Sequence, residues 1–386
     1  MTDVLEDRVR TRLADLRSQG LLRHPRPPSG LDLCSNDYLG LATHPSVVQR
    51  LGDALARDGC GSTGSRLLRG HRESFSAIER RFAALKRTER SLYFSSGYLA
   101  NLAVLSTLPE AEDVVFSDAH NHASLIDGLR LSRARRVVFP HNDVDALSKL
   151  LAEDNAPGQR FVAVESLFSM DGDFAPLAEY ASACRRAGAL LVVDEAHAVG
   201  VYGDDGSGLI RATGIADDVL LVSVNTAGKA LGVAGAFVAG PAWAIDYLEQ
   251  RARPFVFSTA APPALAAALE AALDAVAAEP ERRQRLHARV GFLRTKLAKI
   301  GVPLSPDASQ IIPVIVGENE EAVRLAAALQ HQGFDVRAIR PPSVPVGSAR
   351  LRISLNTGLS ENDLERFVGV LQQCLEEVAF CSAGSS

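Results

Sequence analysis

The chain has 386 residues, of which 47% are hydrophobic, so it can bury a sizeable core and suggests two domains. Its formal net charge is −5 and its basic residues are scattered, which gives no sign of a nucleic-acid partner. The cysteines are few and widely spaced, so we expect neither a disulfide framework nor a metal site. We find no signal-peptide segment and no charge-free apolar stretch of membrane-spanning length, and therefore expect a cytoplasmic protein without a membrane partner.

The N-terminal segment, residues 1–40, is predicted to hold a helix and a linker. Leucine and valine recur at helical spacing across residues 4–19, which indicates an exposed amphipathic helix. The prolines and the glycine of His24–Gly30 indicate a linker. A loop of polar and aromatic residues, Ser35–Leu41, follows it.

Short apolar runs alternate with helical patterns from residue 92 onward. Several are rich in β-branched residues and end on polar residues, as buried parallel strands do. Repeated βα units predict an α/β fold with a mostly parallel central sheet and helices on both faces, within a large domain of residues 41–278. The predicted strands are Leu92–Phe94, Val114–Ser117, Arg136–Phe139, Phe161–Glu165, Leu190–Val193, Val219–Val224 and Gly235–Gly240.

The pattern changes in residues 279–386, which we predict to form a smaller α+β domain. Helical runs there are mixed with strands predicted at residues 311–316, 335–339 and 351–355. Ser360–Asp363 has the form of a capping box and is predicted to open the final helix.

Two motifs of other site classes are weak. Gly59–Gly64 matches the G-x-G-x-x-G pattern, but it follows a helix rather than a strand, which breaks the context of a dinucleotide site. His120 and His122 lie in one loop without acidic partners nearby in the sequence, which disfavours a metal site.

An acid, a histidine and a lysine follow two neighbouring predicted strands. Asp194 and His197 come directly after Leu190–Val193, and Lys229 lies among small residues after the next strand. Active-site groups of open α/β sheets gather at the carboxyl ends of strands. Each residue alone has an ordinary explanation, such as a helix cap or a solvated turn. As an ordered set they indicate pyridoxal 5'-phosphate (PLP), which needs a Schiff-base lysine and a carboxylate at its pyridine nitrogen.

The turn Ser95–Tyr98 is a candidate phosphate site. It joins a predicted strand to a predicted helix, and the N–H groups and dipole of a helix N-terminus favour a phosphate. An ordinary βα turn has the same composition, so both explanations stay open. Thr226, just before Lys229, is a second candidate for the phosphate.

The chain resembles the α-oxoamine synthases, a family of fold type I PLP enzymes, over most of its length. That resemblance implies decarboxylative condensation of an amino acid with an acyl thioester. The stretch Ile339–Arg352 is most similar to the family members that use L-alanine and pimeloyl-CoA or a pimeloyl-carrier protein in biotin biosynthesis. A glycine or serine enzyme of the same family is the alternative, and a non-catalytic partner subunit is a rival of another class. The segments that carry the resemblance are Asn36–Leu41, His122–Ser124, Phe168–Asp173, Val193–Gly200 and Thr226–Gly232.

The resemblance also implies a role for each candidate residue. Lys229 holds PLP and moves protons, Asp194 binds the pyridine nitrogen, and His197 contacts the ring hydroxyl. His122 stacks on the ring. The other expected cofactor contacts are Ser169, Thr226, Gly97 and Tyr98, with Ser258 and Thr259 reaching the phosphate of a neighbouring subunit in a homodimer with shared sites. The expected substrate contacts are Arg23, Asn36, His122, Ser343 and Arg352.

Two arginines compete for the amino-acid carboxylate. Arg350 and Arg352 flank Leu351 in a predicted strand, so their side chains share one face and the alternation cannot choose between them. The resemblance selects Arg352.

Overall fold

The computed structural model describes residues 2–215, 218–307 and 309–383. The chain divides into a large unit, residues 37–169 and 173–284, and a small unit, residues 1–36, 170–172 and 285–386. The domain limits expected near residues 40 and 278 stay predictions. Within the described residues, no helix has both the length and the apolar character needed to cross a membrane.

The helices and strands are numbered in chain order. The helices are α1 Thr2–Ser18, α2 Pro45–Asp58, α3 Glu73–Lys86, α4 Gly97–Thr107, α5 Ala123–Leu131, α6 Val144–Glu153, α7 Leu177–Ala187, α8 Leu209–Ala212, α9 Ala242–Arg251, α10 Arg253–Val256, α11 Ala264–Ala278, α12 Pro280–Lys299, α13 Asn319–His331 and α14 Glu361–Ala383. The strands are β1 Leu31–Asp32, β2 Arg90–Phe94, β3 Val114–Asp118, β4 Arg135–Phe139, β5 Arg160–Glu165, β6 Ala189–Asp194, β7 Leu220–Thr226, β8 Ala236–Gly240, β9 Ile311–Gly317, β10 Phe334–Asp335, β11 Ala338–Ile339 and β12 Ala349–Ser354.

The large unit is built on a seven-stranded sheet of order β2-β8-β7-β6-β5-β3-β4. All neighbouring strands pair in parallel except β8, which runs antiparallel to both β2 and β7. Two buried clusters cover the sheet, one centred on α4, α5 and α9 and the other on α6 and α7. The predicted α/β fold, a mostly parallel sheet with helices on both faces, is confirmed.

The central strands bring their carboxyl ends into register. Asp194, the last residue of β6, lies opposite Glu165 of β5 on one side and Val224 of β7 on the other. Each of these strands is buried along its length because helices cover both sheet faces. The polar residues that end the strands therefore meet at one edge of the sheet.

The small unit contains an antiparallel sheet of order β11-β12-β9 and a parallel pair of short strands, β1 and β10. The single strand predicted at residues 335–339 is wrong. The N–H of Val336 bonds to the carbonyl of Phe334 at 3.1 Å, so the chain bends there and its two halves pair in different sheets.

Both helices predicted at the ends of the chain are present. Ser360 and Asp363 exchange the capping-box bonds, since Asp363 N–H donates to Ser360 Oγ at 3.1 Å and Ser360 N–H donates to Asp363 Oδ2 at 3.0 Å. The N-terminal helix α1 is exposed, and its apolar residues Leu5 and Val9 keep 54% and 45% of their surface open.

Candidate active site

A chain of hydrogen bonds connects Tyr38, His197 and Lys229 in the large unit. Lys229 Nζ lies 2.7 Å from His197 Nε2, and Tyr38 Oη lies 2.6 Å from His197 Nδ1. Tyr38 and His197 are buried, whereas Lys229 is half-buried. Because the ring nitrogens of His197 contact both partners, the imidazole can pass or hold a proton beside the Lys229 amine.

The carboxylate of Asp194 is buried and held from two sides. Asn101 Nδ2 donates to Oδ2 at 2.6 Å, and the Ala196 N–H donates to Oδ1 at 2.8 Å. These two donors fix the carboxylate plane at the end of β6. A carboxylate held in this way suits a cationic ring nitrogen, because burial strengthens an opposite-charge contact.

His122 caps the N-terminus of α5 and remains exposed. Its Nδ1 lies 2.8 Å from Ser124 Oγ and accepts the Ser124 N–H at 3.2 Å, which orients the ring. The surrounding protein atoms partly desolvate the imidazole and lower the pKa of His122, and the positive charge of Lys229 lowers it further against the opposing effect of Asp194. A neutral ring with an open face can stack on an aromatic cofactor.

Glu165 lies beside this group and is almost fully buried. Its carboxyl oxygen Oε1 accepts the backbone N–H of His122 at 2.6 Å. Burial raises the pKa of Glu165 to about 8, and the negative charge of Asp194 on the neighbouring strand adds to that effect. The raised pKa favours the protonated, neutral form of Glu165 beside Asp194.

The turn that begins α4 carries backbone N–H groups that suit an anion. Ser96 Oγ caps the helix by accepting the Leu99 N–H at 3.3 Å, and Gly97 and Tyr98 occupy the first turn, where N–H groups have no intrahelical acceptor. A β-carbon at Gly97 would collide with the hydroxyl of Thr226, so only glycine allows this close approach. Gly97, Tyr98 and Thr226 thus share one small region.

The remaining expected cofactor contacts lie in two other places of the large unit. Ser258 and Thr259 line a small cavity together with Ser95, and Thr259 forms an antiparallel bridge with Ser65. Ser169 is buried in the loop after β5, one residue from Phe168, whose N–H donates to the carbonyl of Asp173 at 3.0 Å.

Arg350 and Arg352 are both buried on β12 of the small unit, but their contacts differ. Arg350 Nη1 donates to Asp171 Oδ1 at 2.5 Å and forms an ion pair with it. Arg352 donates to the hydroxyl of Ser354 at 2.6 Å and to the side-chain carbonyl of Asn36 at 3.1 Å. The structure therefore brings Asn36 and Arg352 together and pairs Arg350 with the carboxylate of Asp171.

Arg23 and Ser343 meet at one backbone carbonyl of the small unit. Arg23 Nη2 donates to the carbonyl of Arg340 at 3.1 Å and to that of Pro341 at 2.9 Å. The Ser343 N–H donates to the same Arg340 carbonyl at 3.1 Å. Both side chains are exposed.

Sequence reasoning did not select three residues that lie among these candidate groups: Tyr38, Asn101 and Glu165. Glu165 ends a correctly predicted strand, and Tyr38 lies in the polar and aromatic loop Ser35–Leu41, so both carried a weak signal. Asn101 lies inside helix α4, whose sequence has the composition of an ordinary buried helix. No local sequence feature indicates its contact with Asp194.

The fold and this cluster define the class of the protein. The aminotransferase class I and II family matches residues 28–371, and the chain therefore belongs to that family. The solved structures it resembles include a serine palmitoyltransferase of Sphingomonas wittichii, with a TM-score of 0.90 and 31% identity over 96% of this chain and 97% of that one. They also include an 8-amino-7-oxononanoate synthase of Francisella tularensis, with a TM-score of 0.79 and 29% identity over 90% and 98%.

Relatives by sequence narrow the class to one group. The 8-amino-7-oxononanoate synthase of Marinobacter nauticus is 44% identical over 362 residues, which covers 92% of this chain and 91% of the relative. That of Anaeromyxobacter dehalogenans is 47% identical over 348 residues, covering 90% and 87%, and that of Geobacter sulfurreducens 44% over 381 residues, covering 95% and 97%. The chain groups with the 8-amino-7-oxononanoate synthases, as its resemblance predicted.

Proposed function

We propose that the chain uses PLP to condense L-alanine with a pimeloyl thioester, forming 8-amino-7-oxononanoate, carbon dioxide and the free thiol carrier. One observation carries the chemistry: the Lys229 amine contacts His197, three residues beyond the buried Asp194 carboxylate. The alanine and pimeloyl parts of the proposal are supported by the names of the relatives at 44–47% identity.

The residues present fit PLP by their donor set. Lys229 offers an amine, Asp194 a buried carboxylate for the pyridine nitrogen, and His122 an open aromatic face. Gly97 and Tyr98 offer helix N-terminal N–H groups for the phosphate, and the missing side chain at Gly97 lets the Thr226 hydroxyl lie close to that turn. When bound, PLP supplies an electrophilic carbon and an electron sink for a carbanion.

Asp194 and Glu165 have different charges in the proposed site. Asp194 holds the ring nitrogen in its protonated, electron-withdrawing form, because an adjacent negative charge favours the cation. The raised pKa of Glu165 favours its neutral form, which adds no second negative charge that would compete for the same cation. The two neighbouring carboxyl groups can therefore differ in charge at the same pH.

Lys229 is the group that moves the α-proton of alanine. A lysine amine acts as a base only when neutral, and a hydrogen bond with a histidine provides a partner that can take up or return its proton. His197 is held in place by Tyr38 at its other ring nitrogen, which orients the imidazole toward Lys229. Tyr38 is thus a positioning residue for this proton transfer.

Arg352 binds the carboxylate of alanine. A planar guanidinium holds a carboxylate through two parallel hydrogen bonds, which orients the substituents of the α-carbon. Arg350 is engaged with Asp171, which supports the choice of Arg352. Asn36, which bonds to Arg352, and the exposed Arg23 and Ser343 complete the proposed substrate contacts.

The proposal includes a cytoplasmic homodimer with shared sites, in which Ser258 and Thr259 lie close to the phosphate of the neighbouring subunit. Cys34, Cys60, Cys184 and Cys374 are free thiols, which suits a reducing compartment. Light scattering combined with size-exclusion chromatography tests the dimer, and a monomer that is fully active would contradict it.

A serine- or glycine-dependent activity is the second candidate, because the serine palmitoyltransferases match the structure with TM-scores of about 0.90. Release of free thiol from pimeloyl-CoA, measured with alanine, glycine and serine in parallel, separates the two. Turnover with alanine exceeding the others supports the proposal. Preference for serine or glycine would assign the chain to the sister activity.

A further inference from the structure

His141 joins two carboxylates that come from different segments of the large unit. It follows β4, and its Nδ1 lies 2.9 Å from Oδ1 of Asp118, the last residue of β3. Its Nε2 lies 2.8 Å from Oδ2 of Asp173, in the loop between β5 and α7. One imidazole ring thus connects the ends of two sheet strands with the loop that carries Ser169.

Asn142 makes the same connection a second time. Its backbone N–H donates to Asp118 Oδ2 at 2.9 Å. Its side-chain amide donates to Asp173 Oδ2 at 3.0 Å and to the carbonyl of Phe174 at 3.1 Å. The φ angle of Asn142 is +54°, a left-handed conformation that is unfavourable for most non-glycine residues and persists where surrounding contacts impose it.

The surroundings of His141 hold its ring and its charge. The ring of His120 stacks on it with centroids 4.0 Å apart, and Phe168 contacts it edge-on at 4.4 Å. Asp118 and Asp173 face its two nitrogens. Burial raises the pKa of nearby Tyr180, and the negative charges of Asp118, Asp143 and Asp173 raise it further. Burial disfavours the charged ring, but the hydrogen bonds and charges of Asp118 and Asp173 outweigh it and raise the pKa of His141 to about 10.

The four residues Asp118, His141, Asn142 and Asp173, here called the His141 clamp, are tied to two residues of the cofactor site. Asp118 Oδ1 also accepts the N–H of His120 at 2.8 Å, in the turn that leads to His122. The Asp173 carbonyl accepts the N–H of Phe168 at 3.0 Å, next to Ser169. The residues bonded to the clamp, His120 and Phe168, therefore lie two residues from His122 and one residue from Ser169.

We propose that His141 is a positioning residue that holds the His122 turn and the Ser169 loop in one geometry by bridging Asp118 and Asp173. The proposal rests on the PLP site of the proposed function. Both His122 and Ser169 lie outside regular strands, where backbone mobility is greatest, and a cofactor face needs support from residues that do not touch the cofactor. A charged ring that donates from both nitrogens gives this support without competing for the cofactor.

The substitution His141→Gln tests the clamp in the full-length enzyme. Glutamine cannot carry the charge or span both carboxylates, so the dissociation constant for PLP, measured by absorbance titration after cofactor removal, should rise by about tenfold or more. The matched control is His44→Gln, because His44 also pairs with a carboxylate, Glu279 at 3.0 Å, and contacts Ser46 at 2.9 Å. The control should bind PLP within about twofold of the wild-type protein.

A second variant keeps the proposal testable if His141→Gln folds poorly. Asn142→Gly tolerates the left-handed φ angle and keeps the backbone bond to Asp118, but it removes the amide bonds to Asp173 and to the carbonyl of Phe174. We expect the melting temperature of the PLP-free protein to change little, while the PLP dissociation constant rises by roughly threefold.

Two results would overturn the clamp, and a third would concern the proposed function instead. Wild-type affinity for PLP in both variants rules out a positioning role. Lower melting temperature with unchanged PLP affinity would make the cluster purely structural. If the wild-type protein itself shows no PLP absorbance band, the proposed function fails independently of His141.

Discussion

The large and small units hold their functional charges in different ways. In the large unit, the ionisable groups come from several strand ends and contact one another, as Lys229 does His197 and His141 does Asp118. In the small unit, two arginines share one strand and differ in their partners, Arg350 having the carboxylate of Asp171. Substitutions in the large unit should therefore act together, whereas those on β12 should separate stability from substrate binding.

The largest effect is expected for Lys229→Ala. The loss of the amine removes both the covalent anchor and the base, so turnover should fall by about a hundred- to ten-thousand-fold. Borohydride reduction should no longer fix PLP to the protein, and Lys149→Ala, a change on the exposed face of α6, should leave both readouts unchanged. A reduced cofactor that maps to another lysine would contradict the assignment of Lys229.

Asp194→Asn should have the next largest effect. It removes the charge but keeps the shape, so the exchange of the alanine α-proton should slow by about a hundredfold. PLP binding should weaken much less, because the phosphate contacts are unchanged. Nuclear magnetic resonance of alanine in heavy water follows the exchange, and a rate close to that of the wild-type enzyme would exclude the proposed role of Asp194.

A smaller effect is expected for Arg352→Lys, with Arg350→Lys as its matched partner. Lysine keeps the charge but loses the planar fork, and a charge-assisted bond contributes about 1.5–3 kcal/mol. The KM for alanine should rise by about tenfold or more in Arg352→Lys, while the KM for the thioester stays nearly unchanged.

Arg350→Lys should instead lower the free energy of unfolding, because Arg350 bonds to Asp171 and to the carbonyls of Ser348 and Met170. Its KM for alanine should remain within about twofold of the wild-type value. Steady-state kinetics with each substrate varied separately decides between the two arginines. An alanine defect found only in Arg350→Lys would reverse their roles.

The last prediction concerns stability rather than activity, through the pH dependence that Glu165 gives to the free energy of unfolding. In the native protein the pKa of Glu165 is raised to about 8, whereas in the unfolded chain it has the ordinary value of 4.5. Because the native state then binds more protons, the contribution of Glu165 to the free energy of unfolding falls as the pH rises between these values. Glu165→Gln should lack this fall.

Urea unfolding of the PLP-free protein at several pH values measures the difference between wild type and Glu165→Gln. Glu179→Gln, at an exposed position of α7, is the control and should follow the wild-type curve. A difference between wild type and Glu165→Gln that does not vary with pH would show that Glu165 is already ionised in the native protein.

The sequence alone determined the class of the fold and predicted the places where we propose that its chemistry lies. A continuous apolar run such as Leu190–Val193 buries both of its faces only between two helical layers. Such runs therefore predict a buried parallel sheet with polar residues at the carboxyl ends of its strands. Asp194, His197 and Lys229 were selected by this local pattern. The resemblance to a known family supplied their individual roles and the choice of Arg352.

Only the tertiary structure decided how these residues are supported. Tyr38 reaches His197, and Asn101 reaches Asp194, across long stretches of chain. The proton on Glu165 depends on its burial and on the register that sets it beside Asp194. Such contacts depend on which strands become neighbours, and no local pattern of residue types encodes that. For the same reason, Arg350 and Arg352 are equivalent by strand alternation and differ in the partners that the fold gives them, Asp171 for Arg350 and Ser354 and Asn36 for Arg352.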